Sequence, residues 1–285
     1  MHDSIILEIF AGTGGVAACF KRHGLSNSVA VDKVKTAGAL TGIIPLDLTK
    51  DEDQQAVMQW LQHPAAKGVF VAPPCGTASA ARNIEVPGED LPKPLRSWEQ
   101  PEGLSNLSGT DLLRVSAANI LYAFTAELLE ACCSLGKLFM VENPRNSLFW
   151  FTTAWADASS AHHLFFAEHQ ACTYGGKRPK WTRLGANFPQ VETIAATCPG
   201  NHVHEPWGLV KQGSSKRVFA TSLEKHYPKL LCEAIVHSFI LRLTEMGLTF
   251  TNSPSLQHAD SRAIQVSQTA TFGVSLQIQD YHHFS

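Results

Sequence analysis

The sequence contains few charged residues and no excess of either sign. Charged residues make up 17% of the 285 positions, and 23 Lys and Arg stand against 25 Asp and Glu, which gives a formal net charge of -2. A protein that binds nucleic acid through its overall charge is strongly basic, so this composition excludes that mode of binding. A contact with a polyanion must come from a local patch, and the densest run of cations is Lys177, Arg178, Lys180 and Arg183.

A disulfide framework and a membrane span are also missing from the sequence pattern. The seven cysteines are odd in number and follow no regular spacing, which is typical of free thiols in a reducing intracellular compartment. No eighteen uncharged apolar residues run together, and the first four residues contain no basic segment. We therefore expect no signal peptide, no transmembrane helix and no membrane partner.

The sequence does contain a regular alternation of short apolar runs and amphipathic segments. The runs predict strands at 4–9, 28–31, 43–46, 67–72 and 137–141. The amphipathic segments predict helices at 16–23, 53–63, 108–135, 146–158 and 229–246. Strands that are joined by helices pair in parallel, so the pattern predicts an α/β fold with a doubly wound, mostly parallel sheet.

Four polar or glycine-rich signals follow predicted strands. They are the loop Phe10-Ala11-Gly12-Thr13-Gly14-Gly15, the acid Asp32, the segment Pro73-Pro74-Cys75 and the pair Glu142-Asn143. In an open parallel sheet, ligands bind in the crevice at the carboxyl ends of the strands. The sequence therefore predicts that the four signals meet at one site.

The glycine loop is typical of a nucleoside-cofactor site, because backbone without side chains can approach a ligand closely. Asp32 at the next strand end suits ribose hydroxyl groups. A dinucleotide fingerprint would require glycine at position 17, where the chain has Ala17, so a tight turn that only packs helix on strand is the alternative. Asp47, after the third strand, could reach an adenine amino group or cap the following helix.

Cys75 is a candidate nucleophile, because two prolines fix the backbone immediately before it. The pKa of a free thiol is about 8.5, so local positive charge or loop closure must convert it to the thiolate. Arg82 and the basic run at 177–183 are available to supply that charge. Glu142 in a dry pocket could donate or share a proton. The structural alternatives are a small residue that closes a proline turn and an acid that caps a helix.

In order and identity these motifs resemble those of the cytosine-5 DNA methyltransferases. That family carries Phe-x-Gly-x-Gly, then Pro-Pro-Cys, then Glu-Asn, whereas amino-group methyltransferases place an aromatic residue after Pro-Pro. The resemblance covers residues 5–187, with a looser match at 219–243. It implies a fold of the S-adenosylmethionine-dependent methyltransferase type, S-adenosylmethionine as cofactor, DNA as partner and no obligate protein partner.

The resemblance also implies a role for each matching residue. Cys75 would add to C6 of a cytosine turned out of the duplex while Glu142 binds its N3 and exocyclic amine, with Arg178 and Lys180 completing the catalytic set. The implied cofactor contacts are Phe10, Gly12, Thr13, Gly14, Gly15, Asp32, Lys33, Asp47, Leu48 and Pro73. The implied substrate contacts are Ser79, Arg82, Asn143 and Arg183, the first two on a mobile catalytic loop at 76–107.

Two departures from the family pattern concern the second half of the chain. The family's Gln-x-Arg-x-Arg strand corresponds here to Arg178, Lys180 and Thr182, which keeps positive charge and changes its geometry. The segment after Arg183 is also too short for a full recognition domain. The domains expected are a catalytic domain at 1–187, a small or vestigial recognition region at 188–218, a closing helix at 219–248 and a disordered polar tail at 249–285.

A metal site is not expected from the sequence. Cys198, His202 and His204 lie close together and Cys172 is a distant fourth candidate, but no second cysteine pair supplies a closed tetrahedral shell, and His-x-His suits a strand equally well.

Three functions stay open at this point. The first is a DNA cytosine-5 methyltransferase, and the second is an RNA cytosine-5 methyltransferase, since a small recognition region suits a structured RNA that is read by shape. The third is a degenerate nucleic-acid-binding module that keeps the fold without the activity.

Overall fold

Strands and helices alternate along the chain, and the computed structural model describes residues 4–83, 92–212 and 216–250. The strands are β1 (Ile5–Ile9), β2 (Val29–Asp32), β3 (Ile43–Pro45), β4 (Ala66–Val71), β5 (Leu138–Pro144), β6 (Phe165–Gln170), β7 (Trp181–Ala186), β8 (Leu209–Gln212) and β9 (Lys216–Phe219). The helices are α1 (Gly15–Arg22), α2 (Asp51–Gln62), α3 (Gly109–Ser134), α4 (Thr153–Ala161) and α5 (Lys229–Glu245).

Seven strands of the described residues form one sheet in the order β3-β2-β1-β4-β5-β7-β6. Neighbours from β3 to β5 pair in parallel, while β7 runs antiparallel to both β5 and β6. The predicted fold class, an α/β fold with a doubly wound and mostly parallel sheet, is confirmed. The strand order reverses between β1 and β4, and this places the ligand crevice at the carboxyl ends of these two strands.

Helices cover both faces of the sheet, and each face has its own core. On one face α2, α3 and α4 pack over Phe139, and Trp155 lies parallel to that ring. On the other face α1 and α5 meet through the ring edges of Phe20 and Phe239. Parallel strands that are apolar on both sides require covering layers of this kind.

Helix α3 is long and apolar enough to cross a membrane, judged by length and composition alone. In the fold its residues Tyr122, Phe124 and Leu128 are buried in the core that faces the sheet. A core helix of a globular domain can have the same length and composition, because it too is apolar around much of its circumference.

One helix and four strands differ from the elements predicted by the sequence pattern. The predicted helix at 146–158 is wrong at its start: Leu148–Phe151 form a 3-10 turn, and α4 begins only at Thr153. The hydroxyl of Ser147 accepts a hydrogen bond from Phe149 N and so begins the tighter turn. Strand β6 is not predicted, because Glu168 and His169 interrupt its apolar pattern, and β7, β8 and β9 are also absent from the strands predicted by the apolar runs.

The described residues belong to one compact unit that spans Met1–Ser253. The two-stranded sheet β8-β9 overlaps the predicted recognition region at 188–218. Beyond residue 250, the predicted polar tail lies outside the described residues.

Candidate active site

A cavity of about 970 Å³ opens at the carboxyl ends of the parallel strands. All four sequence signals contribute to it, together with a segment at 224–227 that precedes α5. The predicted residues that line it are Phe10, Gly12, Thr13, Gly15, Asp32, Lys33, Asp47, Leu48, Pro73, Cys75, Ser79, Arg82, Glu142 and Lys180. Four other predicted residues, all within the described part of the chain, do not line it: Gly14, Asn143, Arg178 and Arg183.

The glycine loop after β1 turns through left-handed backbone at Phe10, Gly12 and Gly14, whose φ angles are 59°, 55° and 70°. A Cβ on Gly14 would lie 2.7 Å from Cγ2 of Thr41 and 3.0 Å from Cδ1 of Ile43. A Cβ on Gly12 would meet no atom within 4 Å. Gly14 is thus required by the packing behind the loop, while Gly12 leaves the cavity open in front of it.

Asp32 lies at the end of β2, and the glycine loop holds its carboxylate in place. Gly12 N donates a hydrogen bond of 2.8 Å to Asp32 Oδ2. A carboxylate fixed at this strand end can accept hydrogen bonds from the hydroxyl groups of a ribose.

Asp47 ties the ends of β2 and β3 together through Lys33. Lys33 Nζ lies 2.9 Å from Asp47 Oδ2, and the hydroxyl of Thr49 donates to Asp47 Oδ1 at 2.7 Å. The Thr49 hydroxyl and the Lys33 ammonium hold the pKa of Asp47 below its ordinary value. Asp47 therefore closes the turn before α2 and lines the cavity, but it does not cap the helix, because the N-cap of α2 is Lys50 and no side chain of the described residues caps that end.

Neighbouring elements fix the backbone that carries Cys75. Asn143 Nδ2 donates to the carbonyl of Pro73 at 2.9 Å, and the hydroxyl of Tyr122 donates to the carbonyl of Pro74 at 2.8 Å. The Asn143 side chain is fully buried. Asn143 therefore anchors the proline segment and does not line the cavity, and its contact with substrate stays a prediction.

The Cys75 thiol is partly exposed to the cavity and free. Burial raises its pKa above the ordinary value; the Lys180 ammonium opposes that rise, and the Glu142 carboxylate adds to it. The thiol is therefore protonated at neutral pH in the protein alone. The charges that act most strongly on the thiol are those of Lys180, Glu142 and Lys225, whereas Arg82 donates from Nε to the carbonyl of Gly76 at 2.7 Å.

Glu142 on β5 is 7% exposed and has one oxygen bonded and one free. The hydroxyl of Tyr227 donates to Glu142 Oε2 at 2.7 Å, whereas Oε1 is buried and has no hydrogen-bond partner among the described residues. Burial and the Glu142 carboxylate raise the pKa of Tyr227 well above its ordinary value, so its hydroxyl stays a donor. An unpaired buried oxygen of this kind is costly unless a ligand meets it.

The basic run after β6 separates into residues with different partners. Arg178 is 2% exposed, and its guanidinium binds Glu205 at 2.8 Å and Glu224 at 2.7 Å. Arg183 binds Glu168 at 2.7 Å. Carboxylates of this chain bind both guanidinium groups and neither residue lines the cavity, so the catalytic role of Arg178 and the substrate contact of Arg183 stay predictions.

The described parts of the predicted catalytic loop are anchored to α3. Arg96 is 3% exposed, and it donates to the hydroxyl of Thr77 at 3.0 Å and to Asn119 Oδ1 at 2.7 Å. Residues 84–91 of the predicted loop lie outside the described residues. Ser79 and Arg82 follow Cys75 closely in the sequence, and both line the cavity.

Sequence reasoning missed two residues of this region, Tyr227 and Glu8. Glu8 on β1 is 1% exposed and accepts hydrogen bonds from Ala17 N at 2.7 Å and Val16 N at 3.4 Å, so it occupies the amino end of α1. Burial raises the pKa of Glu8 to about 8 and outweighs the lowering by these two donors. The acid inside an apolar strand was a sequence signal for Glu8, whereas no local pattern connects Tyr227 to Glu142.

Outside the cavity, Cys172, Cys198, His202 and His204 come together. Their ligand atoms all lie within 4.8 Å of one another. The turn after β6 supplies Cys172. The expectation of no metal site depends on only three candidates lying close together in the sequence, and the fold brings the fourth candidate, Cys172, to the other three.

No protein-family model and no curated protein matches the chain. A solved structure of a proposed DNA modification methyltransferase encoded within a prophage (E. coli) is similar to it, with 15% sequence identity and a TM-score of 0.36. The match covers 64% of this chain and 46% of that one, so the chain spans less than half of that protein. A likeness of this size says nothing about substrate or reaction, which must be inferred from the site.

Proposed function

We propose that this chain is a DNA cytosine-5 methyltransferase that uses S-adenosylmethionine and in which Cys75 is the covalent nucleophile. One observation carries the proposal: Cys75 and the half-paired carboxylate of Glu142 line the same cavity as the glycine loop and Asp32. A nucleophile, an acid and a nucleoside-binding loop in one cavity form the set that this reaction requires.

The residues of the glycine loop fit the cofactor. The space in front of Gly12 admits a ligand against the backbone, Asp32 is fixed to accept ribose hydroxyl groups, and Phe10 and Leu48 give apolar surface for a base. When bound there, S-adenosylmethionine supplies an electrophilic methyl group.

At the cytosine, the thiol of Cys75 first loses its proton to solvent, a loss that the Lys180 ammonium favours. The sulfur then forms a bond to C6, and the electron pair of the C5–C6 double bond moves toward C5 and N3. Tyr227 occupies Glu142 Oε2, which leaves Oε1 as the oxygen that holds a proton for N3. C5 then accepts the methyl group, whose bond to the sulfonium sulfur breaks. The C5 proton leaves to solvent, the double bond forms again and the Cys75 sulfur departs as thiolate, while N3 returns its proton to Glu142 Oε1.

A duplex that contains 5-fluorocytosine tests the proposal, because fluorine at C5 cannot leave as a proton and the adduct is trapped. With S-adenosylmethionine present, we expect the wild type to form a complex that survives denaturing electrophoresis. Cys75→Ser should form none, while Cys133→Ser, a half-buried thiol outside the cavity, should behave like the wild type. Adduct formation by Cys75→Ser would contradict the assignment.

The same assay separates the other two hypotheses. An adduct with structured RNA but not with duplex DNA would change the substrate class to RNA. Calorimetry with S-adenosylhomocysteine reports on the degenerate module, since we expect the wild type to bind and Asp32→Ala to bind at least about tenfold more weakly. Absence of heat from the wild type would contradict the enzymatic proposal.

A further inference from the structure

We propose that Cys172, Cys198, His202 and His204 bind a Zn²⁺ ion that has a structural role. Two thiolates and two imidazoles are a donor set that zinc prefers in closed, four-coordinate sites. None of the four lines the active-site cavity, so the inference does not depend on the proposed enzymatic function.

The distances between the candidate ligand atoms match a tetrahedral zinc site. With bonds of about 2.3 Å to sulfur and about 2.05 Å to nitrogen, a tetrahedron has sulfur-to-nitrogen edges of about 3.6 Å. Cys198 Sγ lies 3.7 Å from His202 Nε2 and 3.4 Å from His204 Nε2. The side chains are therefore already spaced for an ion at their centre.

Neighbouring groups form hydrogen bonds that orient these candidate ligands, as is common around metal sites in proteins. His202 Nδ1 lies 3.2 Å from Asn201 Oδ1, and a proton donated there leaves Nε2 with the lone pair that a metal needs. Gly200 N donates to Cys198 Sγ at 3.4 Å, a contact that favours the thiolate. Cys198 N is itself held by Gln170 Oε1 at 2.8 Å.

An ion at this position would secure the segment that holds Arg178. Backbone hydrogen bonds fasten the segment at its two ends, from Ala196 N to Glu168 O at 3.1 Å and from Glu205 N to Lys177 O at 3.0 Å. Glu205, which follows His204 directly, binds Arg178. The metal closes the middle of the segment, where the chain has no regular secondary structure to support it.

A second group of candidate ligands in the described residues, Cys19, His23 and Glu233, is a poorer site. It offers three donors, and the Arg22 guanidinium already binds the Glu233 carboxylate at 2.9 Å. A resident cation next to the carboxylate opposes the binding of another. This group therefore provides a control.

Metal analysis of the full chain, purified without chelators and under reducing conditions, tests the proposal. We expect about one equivalent of zinc per chain, and its loss in both Cys172→Ala and His204→Ala. Cys19→Ala and Cys133→Ala should keep the metal. Because a ligand variant could fail to fold, the wild type is also exchanged with Co²⁺, which should give the intense visible bands of a tetrahedral cobalt thiolate.

Three results would overturn the inference. The first is a wild type that binds neither zinc nor cobalt, and the second is metal that persists in Cys172→Ala and is lost in Cys19→Ala. The third is a disulfide between Cys172 and Cys198 in the native chain, found by peptide mapping after thiol blocking. Removal of zinc by a chelator should lower the Tm reversibly, since an ion that binds only the folded state stabilises it.

Discussion

Lys180 is the residue that most directly controls the ionisation of Cys75. Its ammonium is the largest influence that lowers the pKa of the thiol, against the burial that raises it. In Lys180→Met we expect that pKa to rise further. At any pH below the pKa, a rise of one in its value lowers the thiolate fraction by up to about tenfold.

The rate at which iodoacetamide modifies Cys75 between pH 6 and pH 10 measures this effect. The rate follows the thiolate, so it rises with pH in both proteins, and the curve of Lys180→Met should lie at higher pH. Lys67→Met, on a cation that does not line the cavity, is the matched control. Coincident curves for wild type and Lys180→Met would contradict the proposed role.

The hydroxyl of Tyr227 holds one carboxylate oxygen of Glu142 by a hydrogen bond, although 85 positions separate the two residues. Tyr227→Phe leaves the second buried oxygen of Glu142 without its partner, which should cost about 1–3 kcal/mol in the free energy of unfolding. Under the proposed mechanism it should also slow adduct formation on 5-fluorocytosine DNA.

Urea unfolding and the trapping rate are the two measurements for Tyr227→Phe. Tyr174→Phe is the control, because that hydroxyl bonds to the carbonyl of Ile194 and lies outside the cavity. Equal losses of trapping rate in the two variants would show that Tyr227 has no specific role.

The glycine loop between β1 and α1 requires Gly14 and Gly12 for different reasons. Gly14→Ala forces a Cβ against Thr41 and Ile43 at a left-handed φ, so it should destabilise the fold by about 2–4 kcal/mol. Gly12→Ala meets no atom of the chain and bears only the backbone strain, about 1 kcal/mol.

Urea unfolding and calorimetry with S-adenosylhomocysteine, applied to both variants, distinguish a loss of stability from a loss of ligand affinity. Gly14→Ala should lose mainly stability. Gly12→Ala should stay folded and lose affinity, since its new methyl group occupies the space in front of the loop. The reverse pattern would show that the ligand does not approach the loop at Gly12.

Elements and strand ends could be predicted from the sequence because they follow from local patterns. Apolar runs placed β1, β2, β4 and β5, and parallel pairing then brought Asp32, Cys75 and Glu142 to one edge. The partners of Arg178 could not be predicted, because Glu205 and Glu224 lie far along the chain and no local period links them. Charge in a sequence does not reveal which carboxylate will neutralise it.

Glu8 should make the stability of the entire fold depend on pH. Its ordinary pKa is 4.5 and burial raises the folded value to about 8, so between these values the folded state binds the extra proton. Stability contributed by this group is therefore complete below about pH 4.5 and falls as pH rises toward 8, by up to about 1.4 kcal/mol for each pH unit.

Urea unfolding at pH 5, 6.5 and 8 should show a smaller decline in Glu8→Gln than in the wild type. Other groups titrate in both proteins, so the quantity compared is the difference between them at each pH. Glu245→Gln, on an exposed carboxylate, should follow the wild type. A Glu8→Gln protein with the wild-type pH dependence would contradict the assignment.

The hydrogen bond from Tyr227 to Glu142 joins two residues that a ribosome makes 85 positions apart. When Glu142 has been synthesised, β1, β4 and their loops already exist, but Tyr227 and the helix that brings Phe239 onto Phe20 do not. A chain that is synthesised from its amino end therefore completes the bond to Glu142 only after Tyr227 has been made. Glu142 stays without this partner while the residues between β5 and α5 are added.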